Sequence, residues 1–398
     1  MRLVDYQNIA NLIVSSGVGI NLWCYYYVNP NCLQYMIPII FIHFCGDLYF
    51  AQRDIKIHHL FGIILIVYKY VMKVNPEDDF FVILTLYKTE LSTFFYVFRF
   101  YLDTNLVKKR IKHINDILFF ASFFKFRIYD YFCNVIVNET LHMNMLKYKY
   151  NFFYFIGSHG MFLLNIYWCM LLCRVACKSI VKSISKIDWK TQTAVSYTMF
   201  LNIIAGGYIY SFFPQEQNVF DMTGLLLLSM VSYKYHNSCA RQLKEQNHFE
   251  YTSDSVMYYY LMDIGSIHLR GFLCVLTGYY HKSNTEILLS FFIHTIGYVL
   301  SLLYTYQTKQ HNCIYNTKSV EQVNFLSTNN ILVIIPCVID TILVSYNNTI
   351  TLFLSTFYVS VLAAMIVMIE PFYGFSHIFF HFVLIVQTCY LSLCNIKQ

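Results

Sequence analysis

Apolar runs long enough to cross a bilayer recur from one end of this chain to the other, and nothing else in it limits the fold as strongly. A helix rises about 1.5 Å per residue, so a hydrocarbon layer about 30 Å thick needs about 20 apolar residues. Such runs fall at about 8–28, 34–50, 58–73, 80–101, 114–136 and 151–176. After a basic interval they resume at about 192–212, 219–236, 255–279, 285–306, 330–346, 349–369 and 373–393. The pattern predicts an all-α, polytopic membrane protein with about thirteen transmembrane helices in two bundles, six and then seven. The run at 58–73 is short for a full crossing and predicts a tilted or re-entrant segment. Composition agrees: 57% of the 398 residues are hydrophobic and 13% charged, with a mean hydropathy of +0.47.

A formal net charge of +6 does not point to nucleic acid, because the basic residues fall between apolar runs and form no patch. The 13 cysteines contain no C-x-x-C pair. Cys169, Cys173 and Cys177 share a helix face, where small apolar packing is the expected role. No disulfide framework is inferred. The first run lacks a small-residue cleavage site and reads as a retained helix.

Lysine and arginine in short loops set the orientation. Arg53 and Lys56 follow the second run. Lys108, Lys109, Arg110 and Lys112 follow the fourth. Arg174, Lys178, Lys182, Lys186 and Lys190 follow the sixth. If every run crosses, these lie on one side, which is then cytosolic along with the N-terminus. A possible glycosylation sequon, Asn138-Glu-Thr, falls on the opposite side. A basic cytosolic hinge at 181–191 is expected to separate a first membrane domain, 1–180, from a second, 192–398.

In the second domain, "YGFSHIFFH" places His377 and His381 four apart, on one helix face, where both can bind one ion. "SYKYH" sets Ser232 and His236 at the same spacing at the end of the second helix of this domain, and "YLMDIGSIHL" puts Asp263 in the first half of the third. Successive spans alternate direction, so all five residues are expected near one membrane face. A single intramembrane His or Asp is as well explained by packing and hydrogen bonding. Five converging polar groups are costly in lipid unless they act together. His268 and His294 have no such company in the sequence and read as structural.

The set Ser232, His236, Asp263, His377 and His381 resembles the pattern of the CREST superfamily of seven-helix membrane hydrolases: S-x-x-x-H on helix two, Asp on helix three and H-x-x-x-H on helix seven. That group includes alkaline ceramidases, adiponectin receptors and enzymes remodelling glycosylphosphatidylinositol-anchor lipids. "YHNSC" and "DIGS" look most like the anchor-remodelling branch. The resemblance covers 192–398. It implies Zn²⁺ on His236, His377 and His381, with Asp263 accepting or orienting the proton of the attacking water. Ser232 is then placed to donate to an oxyanion or to steady the site. The substrate bond is an amide or an ester of a membrane lipid.

The first domain carries "CGDLYFAQRDIKIHHL" and "YKTELSTFFYVFRFYL". Its polar residues are Asp47, His58, His59, Glu90, Thr93, Arg99, Arg127, Asn165 and Trp168. Glu90 and Arg99 are nine apart, not neighbours on a helix, so each needs a partner on another span. The plain reading is that Glu90 and Arg127 pair to fix helix packing. In order, these elements resemble the TLC domain over about residues 35–180, and look closest to the small TLC-domain proteins. The Thr and Ser residues that follow the histidine pair in ceramide synthases are replaced here by "LFGIILIVYKY". Phe94 stands where a Pro usually follows "ELST". If the domain is catalytic, His58 or His59 deprotonates an amine or hydroxyl attacking an acyl thioester. If it is not, the same interior binds a lipid.

The combined expectation is a multi-pass protein of lipid metabolism in the endoplasmic reticulum or another endomembrane. Its first domain is TLC-like, and its second is a zinc-dependent lipid amidase or esterase, with ceramide chemistry common to both families. A non-enzymatic lipid-binding or cargo-handling receptor is the alternative. A transporter is disfavoured, because no inverted repeat relates the halves.

Overall fold

The computed structural model describes residues 3–51, 53–72, 76–99, 102, 106–180, 189–214, 216, 218–246, 254–278, 282–310, 320–369 and 375–397. Among these residues there is no strand. Contacts divide the chain into two compact units, Met1–Leu172 and Cys173–Gln398. The expected hinge residues 181–188 lie outside the described residues.

The first unit begins with α1 (Leu3–Tyr27), a 3₁₀ turn (Pro30–Met36), α2 (Ile37–Phe50), α3 (Arg53–Met72) and α4 (Pro76–Phe98). Next come α5 (Leu106–Ser122), which runs on as π-helix through Phe123–Asp130 and Phe132–Ile136, then the short α6 (Glu139–Met145) and α7 (Asn151–Ile180). The division between the units falls within α7. Helix α4 is central to this unit, packing on α1, α5 and both π segments. Helices α3 and α7 meet through glycine. A Cβ on Gly160 would lie 2.4 Å from Phe61 Cζ, and one on Gly157 2.8 Å from Leu65 Cγ. Small residues at such contacts let membrane helices approach closely.

The second unit contains α8 (Trp189–Thr198), α9 (Phe200–Phe212), α10 (Asn218–Gln246), α11 (Asp254–Thr277) and α12 (Asn284–Gln310). It ends with α13 (Val320–Ser345), α14 (Ile350–Ile369) and α15 (Ser376–Lys397). Helix α10 packs on α8, α9 and α11, while α15 packs on α8, α9, α13 and α14. The α10–α11 seam is closed by Tyr235, Cys239, Val256, Met257, Tyr260 and Ile264. This holds the helices bearing His236 and Asp263 side by side.

Among the described residues, five helices are long and apolar enough to cross a membrane: Arg53–Met72, Asn151–Lys178, Asn284–Gln307, Ile350–Ile369 and Ser376–Ile396. The first of these corrects the expectation of a short segment at 58–73. Arg53 and Lys56 are not in a turn but in the opening turns of α3, where Asp54 suits the positive end of the helix dipole. Two other runs are divided. Residues 34–50 split into the 3₁₀ turn and α2, and 192–212 into α8 and α9 joined at Met199. Helix α10 does not end near His236 but continues to Gln246. Cys239, Ala240, Gln242 and Leu243 are buried there while Arg241 and Lys244 are exposed, an amphipathic stripe that extends the helix past its apolar run.

Candidate metal centre

His236 on α10 and His377 and His381 on α15 each offer a ring nitrogen, and the three nitrogens lie within 4.8 Å of one another. Ring centroids are 4.7 Å apart for His236 and His377, 4.8 Å for His377 and His381, and 5.9 Å for His236 and His381. Bonds of 2.0–2.1 Å to a tetrahedral ion put its ligand atoms about 3.3 Å apart, so small ring rotations would seat one. His236 and His381 are buried, and His377 is the most open of the three. Outside it, Phe375 just before α15 and Phe379 and Phe382 on it are exposed.

Helix α8 supplies what the sequence reading missed. His236 Nδ1 lies 3.0 Å from Gln192 Oε1, and His381 Nδ1 lies 2.7 Å from Thr198 Oγ1. An amide oxygen only accepts, so His236 donates from Nδ1. The Thr198 hydroxyl gives its own hydrogen to the Val195 carbonyl, so it too accepts from His381. Both rings are thereby fixed as Nδ1–H tautomers, leaving Nε2 with a free lone pair. A hint was present in "KTQTAVSYT", a polar opening to an otherwise apolar run, but nothing in it named the partners.

Asp263 stands outside the three-histidine group. The hydroxyl of Ser232, one turn before His236, hydrogen-bonds its carboxylate. Asp263 Oδ1 is buried with no hydrogen-bond partner. Ser232 is therefore engaged with Asp263, which favours its steadying role over direct donation to an oxyanion.

In the first unit the predicted polar residues form one network apart from Arg99. His58 Nε2 lies 3.4 Å from Glu90 Oε1, and Arg127 Nη2 lies 3.6 Å from the same oxygen. Arg127 also donates to Ser92 Oγ at 2.7 Å, to Thr93 Oγ1 at 3.0 Å and to Asn165 Oδ1 at 3.4 Å. Thr93 in turn donates to Glu90 Oε2 at 3.0 Å. The π-helix carries Arg127 into this cluster, and such bulges recur at functional sites. His59 Nδ1 faces Asp47 Oδ2 at 3.6 Å, which His43, unremarked in the sequence, faces from the other side at 3.7 Å. Trp168 packs on His58 and donates to Asp54 Oδ2 at 3.0 Å. Arg99 is separate, in a half-exposed ion pair with Asp116. A small apolar cavity between α2, α3 and α4 has Glu90 as its one charged lining residue.

His268 and His294 are not isolated, contrary to the sequence reading: their Nδ1 atoms are 3.0 Å apart. They lie on α11 and α12, and no spacing rule links two positions so far apart in sequence. Asn138, the sequon residue, caps α6 by accepting from Leu141 N at 3.0 Å, and its amide nitrogen donates to Asn134 O at 3.1 Å. No protein-family model, curated protein or solved structure matches this chain.

Proposed function

We propose that the second unit is a zinc-dependent hydrolase acting on an amide or ester bond of a membrane lipid, in keeping with its resemblance to the CREST superfamily. The observation that carries this reading is the convergence of His236, His377 and His381, two of them with Nε2 freed by Gln192 and Thr198. The donor set suits zinc: three imidazoles, two of them buried and with hydrogen-bonded second nitrogens. Bound zinc supplies a Lewis acid and a water whose pKa falls to about 7. The chain's own residues do the rest. Gln192 and Thr198 hold the rings in register. Asp263 takes up a proton at Oδ1 and returns it to the leaving group, and Ser232 keeps that carboxylate oriented. Acyl chains pack on the exposed phenylalanines of α15.

The first unit fits a TLC-like domain that binds lipid without acyl transfer. The ring nitrogen of His58 facing Glu90 is already engaged, and Glu90 is shared with Arg127 and Thr93. The chain is read as crossing an endomembrane about thirteen times, the endoplasmic reticulum being the leading candidate, with the basic interval cytosolic. A receptor that binds lipid without turnover is the rival, and metal content separates the two.

The test is elemental analysis of the purified full chain beside a hydrolysis panel of ceramides, phospholipids and glycosylphosphatidylinositol lipids. The expected result is about one zinc per chain with release of a fatty acid. Zinc-free, folded protein, or hydrolysis unaffected by His236→Ala, would overturn it.

A further inference from the structure

A second buried cluster lies on α11, α12 and α13, and it shares no residue with the metal centre. Ser290 Oγ donates to Asp340 Oδ1 at 2.7 Å. Asp340 Oδ2 is in direct contact with His294 Nε2, and His294 Nδ1 meets His268 Nδ1 at 3.0 Å. His268 Nε2, the far end of the series, is buried without a hydrogen-bond partner. Solvent exposure of His268 is 3%, of His294 4%, of Asp340 5% and of Ser290 0%.

Glycines shape the space around these rings. A Cβ on Gly271 would fall 2.5 Å from Asp340 Oδ2 and 2.6 Å from His294 Nε2. One on Gly297 would fall 2.8 Å from His268 Cε1, 3.1 Å from Pro336 Cγ and 3.2 Å from the Leu332 carbonyl oxygen. Pro336 has no N–H to offer that carbonyl, four residues earlier in the helix. A backbone acceptor thus stands in the same notch as the free edge of His268.

Among the described residues, the ion-pair partner of Asp340 is His294. Arg270 on α11, next to Gly271, is paired with Asp221 on α10 at 3.6 Å. The remaining titratable neighbours are the thiols of Cys274 on α11 and Cys337 on α13, with Tyr298 on α12 against His268. With both imidazoles neutral, an ionised Asp340 leaves the cluster at −1 in the interior of the bundle, which is costly; one added proton makes it neutral.

We propose that Ser290, Asp340, His294 and His268 form an intramembrane relay that stores one exchangeable proton, taken up and released at Nε2 of His268. In the loaded form His294 carries protons on both nitrogens, one toward Asp340 and one toward His268 Nδ1, and His268 bears its proton on Nε2. Release is a two-part shift. The Nε2 proton leaves, and the proton between the two Nδ1 atoms passes from His294 to His268. His294 is left neutral with Nε2–H on Asp340, and the cluster returns to −1. Uptake reverses each movement. The ligand is a proton, and its acceptor or donor is water or a polar headgroup reaching the notch beside Gly297.

The test is solid-state NMR of the full chain, labelled with ring-¹⁵N histidine, in phosphatidylcholine vesicles. Across a pH series from acid to alkaline, the expected change is from one imidazolium hydrogen-bonded to a neutral ring to two neutral rings. Both signals should be altered together in His294→Gln. Asp340→Asn keeps the size of the side chain and removes the charge the proton compensates, so the imidazolium should be lost in folded protein, whatever the fate of His294→Gln. His236→Ala should leave the titration unchanged, so the relay and the metal centre stand or fall separately. Two neutral rings at every pH, an imidazolium that survives in Asp340→Asn, or signals that move on adding a zinc chelator would each overturn the proposal.

Discussion

His236 donates from Nδ1 to Gln192 Oε1 at 3.0 Å, so a residue on α8 decides which nitrogen a residue on α10 turns toward α15. Removing such a partner from a metal-binding histidine typically costs 10–100-fold in affinity. Gln192→Ala is expected to weaken zinc binding by about that factor, and Thr198→Ala to do the same through His381. Competition against a zinc chelator measures it. Unchanged affinity in both variants would show that the bonds to α8 do not prepare the rings.

Replacing His236, His377 or His381 with Ala should remove both metal and hydrolysis, since two protein ligands hold zinc poorly. Asp263→Asn should retain the metal and lose turnover, because the carboxylate lies outside the three-histidine group. Ser232→Ala should cost less than Asp263→Asn, as it removes a hydroxyl that supports the carboxylate. Metal content and initial rate, read on the same preparations, separate these outcomes. Loss of zinc in Asp263→Asn would make that residue a ligand instead.

Arg127→Leu leaves Glu90 buried without its guanidinium partner, and breaking a buried pair in this way costs about 3–5 kcal/mol. The double variant Arg127→Leu with Glu90→Leu should regain most of that loss, since no charge is then left unpaired. Thermal unfolding in detergent distinguishes the two. Equal stability of single and double variants would mean that His58 and Thr93 suffice to hold Glu90.

Acyl transfer by the first unit is expected to be absent. The full chain carrying His236→Ala, which silences the second unit, should form no ceramide from acyl-CoA and sphingoid base. Synthesis that persists in that variant and vanishes on His58→Ala or His59→Ala would reverse the assignment.

The interval around Lys182 should be cytosolic and Asn138 lumenal. Cysteine placed at 182 in a cysteine-depleted chain should react with an impermeant reagent in sealed microsomes, and cysteine at 139 should be protected. The opposite pattern would invert the topology. Asn138 caps α6 through Oδ1, which accepts from Leu141 N, so Asn138→Gln is expected to disturb the start of α6 even where no glycan is attached.

The sequence by itself determined the helical class and the local geometry of the second unit's site. Apolar length decides what can cross a bilayer, and a four-residue spacing puts His377 with His381, and Ser232 with His236, on single helix faces, because both rules depend only on the rise and turn of a helix. Helix ends were less legible. The extension of α10 to Gln246 and the start of α3 at Arg53 are amphipathic or charged stretches that an apolar count leaves out. The pairing of Glu90 with Arg127 was legible, but most other partners were not. Gln192 on His236, Thr198 on His381 and Asp340 on His294 join residues on different helices, and neighbours in space carry no mark of one another in the chain, whereas His43 on Asp47 has the four-residue spacing of one helix face. His268 and His294 show the consequence most directly. Each is a lone polar residue in an apolar helix when read along the sequence. Only the packing of α11 on α12, with Gly297 giving way to one ring and Gly271 to the other, brings them within hydrogen-bonding distance.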